Sequence, residues 1–323
     1  MALETVSVIG AGAWGTALAQ AAAIAGRHVN LHGRSEDFAS EVNDFHTNER
    51  HLPGQRLHPA ITGHADLSAL PQADFVILAV PAQSSRSVLA GAGATVLAGK
   101  PIVLSAKGLE HGTLMRQSEI LSALAPDAQP YVLSGPSFAA DVAAGRPTAV
   151  TLAGLDAEPL AAALAGPTFR PYAAEDIIGV EIAGSLKNVY ALGCGAVEGA
   201  DLGASARAAF LARAYAEMSR LVSALGGSPS TLTGLAGLGD LTLSCTSTQS
   251  RNYRTGLALG RGEGLEGIGL AEGLATAPVA RDLARKLGID APLIEAVNLL
   301  LDGQVSISSI VSSLMARPLK RET

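Results

Sequence analysis

The chain has 323 residues, of which 48% are hydrophobic, 16% charged and 4% aromatic, and its formal net charge is −6. This length favours two domains, and the apolar content excludes a disordered chain. An acidic chain without a long basic run is a poor binder of nucleic acid, and its most apolar run, Phe75–Val80, has the length of a strand rather than of a membrane span. We therefore expect no nucleic-acid partner and no stable insertion into a membrane.

The first predicted elements form the start of a βαβ unit. Val6–Ile9 is a short apolar run, and Gly10–Gly15 (GAGAWG) is a glycine-rich turn. Thr16–Ala25 consists almost entirely of good helix formers, and Gly26 follows where a C-cap glycine belongs. His28–His32 then has the character of a second strand.

Strands and helices continue to alternate up to about residue 175. Asp74–Val80 (DFVILAV) is an apolar run bounded by polar and proline residues, which is typical of a strand buried on both faces. Further strands are predicted at Pro101–Ser105, Tyr131–Ser134, Ala149–Leu152 and Arg170–Tyr172, and Ser84–Leu97 is predicted to begin as a helix and end as a loop. Strands separated by helices predict a parallel, doubly wound sheet.

The pattern changes after about Glu175, where few strand-like runs remain. Helical spacing or composition is found at Glu181–Gly193, Ser205–Leu225, Thr276–Leu287 and Leu293–Leu301. We therefore predict an α/β domain over residues 1–176 and an all-helical domain over residues 177–323. No low-complexity tract separates the halves, so this boundary is approximate.

The glycine turn carries the first functional signal. In a G-x-G-x-x-G turn between strand and helix, Gly10 permits the tight turn, Gly12 lets the backbone approach a pyrophosphate, and Gly15 lets helix and strand pack closely. The helix N-terminus stabilises the phosphate charge. In a chain with 36 glycines an ordinary glycine turn is the alternative, but the context favours a dinucleotide-binding Rossmann domain.

The end of the second strand bears on the choice of cofactor. Arg34 stands where a ribose-binding acid is expected, and an arginine pairs with a 2′-phosphate and stacks on adenine. This favours NADP(H). Glu36 and Asp37 follow directly, so binding of NAD(H) is not excluded. The alternative is that Arg34 is a solvated surface residue without a role in cofactor binding.

Two lysines occupy positions that suggest chemistry. Lys107 follows a predicted strand, and ligands of doubly wound sheets bind beyond the carboxyl ends of strands. Lys187 lies in a predicted helix, where its neighbours three and four residues away are all uncharged. Partial burial lowers the pKa of a lysine and suits it to proton transfer near neutral pH. The alternatives are a solvated loop lysine for Lys107 and an ammonium extended to solvent at a domain edge for Lys187.

Two segments further along the chain supply polar partners. Asp240 follows the flexible backbone of Gly237–Gly239, where a carboxylate can pair with Lys187 and set its protonation. Ser250–Asn252 places the fork-shaped cation of Arg251 between two neutral hydrogen-bonding residues, which suits a phosphate. Each segment alone is also compatible with an ordinary loop.

Metal and nucleophile chemistry find little support in the sequence. All seven histidines precede residue 112, and no H-E-x-x-H, C-x-x-C or G-x-S-x-G pattern occurs. Cys194 and Cys245 are far apart and fit two free, buried thiols in a reducing compartment. Because the N-terminus lacks the features of a signal peptide, we expect a cytoplasmic protein that uses no metal.

Together these motifs resemble the bacterial NAD(P)-dependent glycerol-3-phosphate dehydrogenases, and the resemblance runs nearly from end to end. The segments that carry it are Gly10–Thr16, Ser105–Leu109, Ser134–Ala139, Gly184–Tyr190, Ala216–Arg220, Gly234–Asp240, Gln249–Asn252 and Ala271–Gly273. Any one segment is modest evidence, whereas their common order and spacing are specific. The resemblance implies a Rossmann domain followed by a helical domain like that of 6-phosphogluconate dehydrogenases. It also implies reversible NAD(P)H-dependent reduction of dihydroxyacetone phosphate to sn-glycerol 3-phosphate, for glycerophospholipid synthesis.

The resemblance further implies roles for individual residues, with Lys187 as the catalytic acid/base assisted by Asp240 and Lys107. The substrate would be lined by Lys107, Gly135, Ser137, Lys187, Asn188, Asp240, Ser250, Arg251 and Asn252. The cofactor, NADP(H), NAD(H) or both, would be contacted by Gly10, Gly12, Ala13, Trp14, Gly15, Arg34, Lys107, Ala139, Arg251, Leu270 and Glu272. Leu270 departs from the family's usual valine, and Ala13 and Trp14 occupy variable positions where backbone contact suffices.

Two other functions are compatible with the same plan. A dehydrogenase of a 3-hydroxy acid or sugar acid would share the two domains and a lysine, but Ser250–Asn252 favours a phosphorylated triose. A non-catalytic, NADPH-binding redox sensor would keep the turn at Gly10–Gly15 but has no need for Lys187, Asp240 and Arg251 together. A homodimer through the apolar faces of the helical domain is compatible with the sequence, although no motif supports it.

Overall fold

One sheet organises the N-terminal part of the molecule. The computed structural model describes residues 3–265, 269, 271–303 and 305–318 (without the side chains of residues 94 and 95), and within these ranges eight strands form a single sheet. The strands are β1 (Thr5–Ile9), β2 (His28–His32), β3 (Ile61–His64), β4 (Phe75–Leu78), β5 (Pro101–Leu104), β6 (Gln129–Ser134), β7 (Thr148–Ala153) and β8 (Phe169–Ala174). Their order across the sheet is β3-β2-β1-β4-β5-β6-β7-β8.

The direction of one strand pair departs from the wholly parallel sheet expected from the sequence. β1 lies between β2 and β4 and is parallel to both, whereas β6 and β7 are antiparallel, with Leu133 opposite Leu152. The connection from β6 to β7 is short and contains only a five-residue helix, α5 (Ala139–Ala143). This helix spans about 7.5 Å, whereas β6 is about 20 Å long, so it does not carry the chain back along the strand as the helix of a parallel crossover does. β8 is parallel to β7, so the last two strands both run against the rest of the sheet.

Helices cover both faces of the sheet. Besides α5 these are α1 (Ala13–Ile24), α2 (Glu36–Ser40), α3 (Ser85–Leu97), α4 (Gln117–Leu124) and α6 (Glu158–Leu164). Alternate residues of a strand point to opposite faces. In β4, Phe75 and Ile77 pack in one core with α1, α5 and α6, whereas Val76 and Leu78 pack in another with α3 and α4. Burial on both faces explains why this strand reads as a continuous apolar run.

The C-terminal half is helical and is organised around one long helix. Its helices are α7 (Ile177–Gly199), α8 (Ala204–Ala224), α9 (Asp240–Thr246), α10 (Arg251–Gly260), α11 (Glu272–Lys286), α12 (Pro292–Leu301) and α13 (Ile307–Met315). α7 is buried from Gly179 to Ala196, and a Cβ at Gly195 would lie 2.1 Å from the carbonyl oxygen of Tyr253, so α10 packs directly on its backbone. None of the helices in the described ranges is both long and apolar enough to cross a membrane.

Most predicted elements overlap observed ones, but the sequence analysis assigned no element to β3, α2, α4, α5, α6, α9, α10 or α13. β3 has the sequence ITGH, is four residues long and pairs only with β2 among the described strands, so no apolar run marks it. α9 and α10 lie in a segment rich in serine, threonine and glycine, which we read as loops. Their helical conformation depends on packing against α7 rather than on local propensity.

Candidate active site

The glycine turn lies between β1 and α1 and has the shape of a cradle. Gly10 has a φ of +111°, and a Cβ there would lie 2.7 Å from the carbonyl oxygen of Ala79. A Cβ at Gly15 would lie 1.8 Å from the carbonyl oxygen of Gly10, so protein packing itself requires both glycines. A Cβ at Gly12 would instead meet no heavy atom within 4 Å. The open space at Gly12, beside the N-terminus of α1, fits the close approach of a pyrophosphate.

Arg34 lies directly beyond the carboxyl end of β2, and its side chain is exposed. Ser35 caps the following helix by accepting a hydrogen bond from the backbone N–H of Phe38 at 3.3 Å, and Glu36 and Asp37 lie in the first turn of that helix. The guanidinium is therefore available to an anion at this edge of the sheet. The nearby carboxylates of Glu36 and Asp37 are compatible with NAD(H) as well as NADP(H).

Lys187, Asp240 and Lys107 meet in one buried cluster. Lys187 Nζ donates to Asp240 Oδ1 at 2.5 Å, and Lys107 Nζ donates to Asp240 Oδ2 at 2.6 Å. The carboxylate of Asp240 is fully buried, and the side chains of Lys187 and Lys107 are only 10% and 12% exposed. Lys107 comes from the loop after β5, Lys187 from the middle of α7 and Asp240 from the start of α9. The sequence suggested the first pairing, and the second was not foreseen.

Burial and charge set the protonation of this cluster. Burial lowers the pKa of Lys187 to about 8; Asp240 opposes this shift and Lys107 adds to it. Burial raises the pKa of Asp240, but the ammonium groups of Lys107 and Lys187 outweigh that effect and hold the pKa below its ordinary value. The cluster therefore presents a carboxylate and a lysine that can give up its proton near neutral pH.

Ser244 belongs to the cluster and was missed by the sequence analysis. Lys187 Nζ donates to Ser244 Oγ at 2.8 Å, and the serine is buried. Ser244 lies one turn after Asp240 on α9, and residues four apart share a face of a helix. That spacing is the signal that would have identified it, had α9 been predicted.

The loop after β6 borders the same site. Lys107 Nζ also donates to the carbonyl oxygen of Gly135 at 3.2 Å, and Ser137 Oγ donates to that oxygen at 3.0 Å. A Cβ at Gly184 would lie 2.8 Å from Ser134 Oγ, so the glycine lets α7 pack against the end of β6. The carboxyl ends of β5 and β6 and the middle of α7 thus meet at the edge of the sheet where ligands of doubly wound sheets bind.

Ser250 and Arg251 lie at the N-terminus of α10. Ser250 is the N-cap, and its Oγ accepts a hydrogen bond from the backbone N–H of Tyr253 at 3.3 Å. Arg251 is the first residue of the helix, and its side chain is exposed. A helix N-terminus with an exposed guanidinium beside it is suited to a phosphate.

Two buried asparagines connect this helix to the lysine cluster. Asn252 Nδ2 donates to Asn188 Oδ1 at 2.9 Å, and Asn188 Nδ2 donates to the carbonyl oxygen of Lys107 at 3.1 Å. Asn252 Oδ1 accepts from the backbone N–H of Gly273 at 2.8 Å. Asn188 and Asn252, which the resemblance assigns to the substrate, therefore also hold α7, α10, α11 and the loop of Lys107 together.

Three cofactor positions remain, and they lie in different parts of the chain. Glu272 is the first residue of α11. Burial raises the pKa of its carboxyl group, whereas the nearby cations of Arg251, Lys107 and Lys187 lower it. Ala139 begins α5 and packs against the core on the α1 face of the sheet. Leu270 lies outside the described residues.

Within the described part of the chain, no group of three or more His, Cys, Asp and Glu residues is arranged to hold a metal ion. Cys194 and Cys245 are free thiols, fully buried in the core of the helical half. This burial agrees with their interpretation as small apolar residues.

A doubly wound sheet with a dinucleotide turn, joined to helices that contribute a buried lysine, defines a two-domain NAD(P)-dependent dehydrogenase. The family model for the N-terminus of NAD-dependent glycerol-3-phosphate dehydrogenase matches residues 5–159, and the model for its C-terminus matches residues 176–312. The chain belongs to the NAD-dependent glycerol-3-phosphate dehydrogenase family.

Individual relatives agree with this membership. The glycerol-3-phosphate dehydrogenase (NAD(P)+) of Caulobacter vibrioides is 48% identical, and the alignment covers 100% of both chains. That of a Bradyrhizobium species is 50% identical over 99% of this chain and 98% of its own. The crystal structure of glycerol-3-phosphate dehydrogenase from Coxiella burnetii is 36% identical, with a TM-score of 0.91 over 97% of this chain and 99% of that chain. The family and the fold class predicted from the motifs are confirmed.

Proposed function

We propose that this chain catalyses the reversible reduction of dihydroxyacetone phosphate to sn-glycerol 3-phosphate with NADPH or NADH, and so supplies the backbone of glycerophospholipids. The observation that carries the proposal is the buried ammonium of Lys187, held against Asp240 beside the loops that follow β5 and β6. The names of the full-length relatives support the same substrate.

Lys187 is the acid of the proposed reaction. A nicotinamide held beside the glycine turn would supply a hydride to the ketone carbon of the substrate. Negative charge grows on the carbonyl oxygen, and Lys187 donates the proton that neutralises it. A positioned acid of this kind contributes about 10²–10⁴-fold to the rate. A pKa of about 8 lets the same nitrogen accept a proton in the reverse direction, while Asp240 and Ser244 hold it in place.

The substrate phosphate is assigned to the N-terminus of α10. Ser250 and Asn252 flank Arg251 there, and the exposed guanidinium matches the geometry of a phosphate. Gly135 and Ser137 are assigned to the substrate, and Lys107, which donates to the same carbonyl oxygen of Gly135 as Ser137 does, is assigned to both substrate and cofactor. Because the phosphate is remote from the reacting carbon, its binding energy orients the ketone without entering the chemical step.

The cofactor is assigned to the glycine turn and the edge of the sheet beside it. The open space at Gly12 supports pyrophosphate binding, and the exposed Arg34 supports a contact with a 2′-phosphate. The full set assigned to the cofactor is Gly10, Gly12, Ala13, Trp14, Gly15, Arg34, Lys107, Ala139, Arg251, Leu270 and Glu272.

Three further assignments complete the proposal. We divide the chain into domains 1–176 and 177–323, because β8 ends at Ala174 and α7 begins at Ile177. We also assign a homodimer through the helical domain, where Leu299 and Met315 are exposed. A cytoplasmic location fits the reduced state expected for both thiols.

The decisive test is an initial-rate assay that follows NADPH and NADH consumption with dihydroxyacetone phosphate, beside a panel of 3-keto acids and oxidised sugar acids. We expect the phosphorylated triose to be reduced far faster than any acid in the panel. A preference for an acid would identify a different dehydrogenase of the same plan. Failure to oxidise either cofactor with every ketone would instead favour the NADPH-binding sensor.

A further inference from the structure

Asn48 is a buried residue beneath the glycine turn that no motif singles out. It lies in the loop that leads to β3, and it is 1% exposed. Its Nδ2 donates to the carbonyl oxygen of Ala11 at 3.0 Å and to Thr16 Oγ1 at 2.8 Å. Ala11 lies within the turn and Thr16 in the first turns of α1. A side chain 37 residues downstream therefore uses both amide hydrogens to hold this part of the cofactor site.

The loop that carries Asn48 is itself fixed to α1. Gln20 Oε1 accepts a hydrogen bond from the backbone N–H of His58 at 2.7 Å. Gln20 lies four residues after Thr16, so the two anchor points share one face of the helix. Leu52 is buried in the core on the same side of the sheet. Asn48 is thus held rigidly enough to orient the backbone that it contacts.

The contact with Ala11 determines where the next N–H points. A peptide unit is planar and trans, so the carbonyl oxygen of Ala11 and the N–H of Gly12 point in opposite directions. Holding the oxygen toward the buried Asn48 turns the N–H of Gly12 to the opposite side of the peptide, away from Asn48. If this peptide rotated, which a glycine permits at little cost, a partly negative oxygen would face the phosphate instead.

We propose that Asn48 is a positioning residue of the dinucleotide site, which keeps the N–H of Gly12, rather than the carbonyl oxygen of Ala11, facing an incoming pyrophosphate. The inference rests on the proposed cofactor site but not on the identity of the ketone. Asn48 contacts neither the lysine cluster nor the N-terminus of α10 in the hydrogen bonds that hold it. Its loss therefore weakens cofactor binding and leaves the chemical step unchanged.

The first experiment measures NADP+ binding to Asn48→Ala in the absence of any ketone. The chain has a single tryptophan, Trp14, which lies in the same turn, so its fluorescence reports both on the turn and on binding. We expect the Kd to rise about tenfold, as loss of a buried hydrogen bond allows. The emission of the free protein should also change. The KM for NADPH should rise in parallel, while kcat at saturating cofactor stays within about twofold of the wild-type value.

Asn43→Ala is the matched control. Asn43 is also an asparagine that bridges two segments near β3, accepting from the backbone N–H of Gly63 at 2.8 Å and donating to its carbonyl oxygen at 3.1 Å. Its substitution removes the same number of hydrogen bonds without touching the glycine turn. We expect a lower thermal midpoint, with Trp14 emission and the Kd for NADP+ unchanged.

Asn48→Asp tests the same contact without creating a cavity. The ionised carboxyl group can only accept, so it repels the carbonyl oxygen of Ala11, whereas the protonated group again donates to it. Burial raises the pKa of the introduced group. We therefore expect the Kd of this variant relative to wild type to be high at alkaline pH and to fall as the pH is lowered.

The inference is overturned if Asn48→Ala binds NADP+ as tightly as wild type, or if Asn43→Ala loses as much affinity. It is also overturned if the relative Kd of Asn48→Asp does not change with pH, a measurement that decides the question should the alanine variant not fold. If the wild-type protein itself binds neither NADP+ nor NADPH, the proposed function fails and not the positioning role alone.

Discussion

Asp240→Asn perturbs the lysine cluster at its centre. The substitution keeps the shape of the side chain and removes the charge that two ammonium groups contact at 2.5 and 2.6 Å. Burial and Lys107 lower the pKa of Lys187, and Asp240 opposes them, leaving it at about 8. Without the carboxylate the pKa falls further. We expect the variant to lose its catalytic acid at a lower pH than the wild type does.

The expected magnitude follows from the protonated fraction of Lys187. With a pKa of about 8, half of the wild-type lysine is protonated at pH 8. An opposite charge within hydrogen-bonding distance typically moves a pKa by about 1 to 3. A pKa lower by about 1 leaves about a tenth of the lysine protonated at that pH, and a pKa lower by about 3 leaves about a thousandth. Reduction at pH 8 should therefore slow by about 5- to 500-fold, and less at lower pH.

The assay is the pH dependence of kcat/KM for NADPH-dependent reduction of dihydroxyacetone phosphate, measured on both sides of the midpoint. In the wild type this rate should fall as the pH rises through about 8, because reduction needs the ammonium form of Lys187. Oxidation of sn-glycerol 3-phosphate needs the neutral amine, so its rate should rise over the same range. Both midpoints should lie at lower pH in Asp240→Asn.

Asp176→Asn provides the control for lost stability. Asp176 caps α7, the helix of Lys187, by accepting from the backbone N–H of Gly179 at 2.9 Å and from Thr231 Oγ1 at 2.6 Å. We expect this variant to melt at a lower temperature with unchanged pH midpoints. A loss in Asp240→Asn that is the same at every pH, or a midpoint that moves to higher pH, would refute the reasoning.

Three further substitutions and one control, Gly15→Ala, test the remaining parts of the site. Lys187→Ala should lose nearly all turnover while it still binds NADPH; wild-type turnover would remove Lys187 as the acid. Arg34→Ala should raise the KM for NADPH far more than that for NADH, because only NADPH carries the 2′-phosphate, and equal changes would exclude this contact. Gly12→Ala should keep its thermal midpoint within about 2 °C of wild type, since the added Cβ meets only open space, yet bind NADPH about tenfold more weakly or worse. Gly15→Ala is the control: its Cβ would clash with the carbonyl oxygen of Gly10, so this variant should melt several degrees lower than wild type. If Gly12→Ala binds NADPH as tightly as wild type, the glycine turn does not bind the pyrophosphate as proposed.

The elements with a strong local signal were readable from the sequence alone. The apolar run around β4, the turn at Gly10–Gly15 and the uncharged surroundings of Lys187 each depend on residues close in the chain. Burial on both faces, a tight turn and a helix face impose their patterns over a few residues. The order of the motifs along the chain was sufficient to indicate the family.

The tertiary structure decided how these segments meet. Lys107 and Asp240 are separated by 133 residues, and their pairing depends on packing of the helical half against the sheet. The reversed direction of β7, the helical state of α9 that brings Ser244 to Lys187, and the position of Asn48 under the glycine turn have the same origin. A local pattern records which face a residue buries but not which distant residue lies opposite it, because that contact exists only once the separate segments have packed.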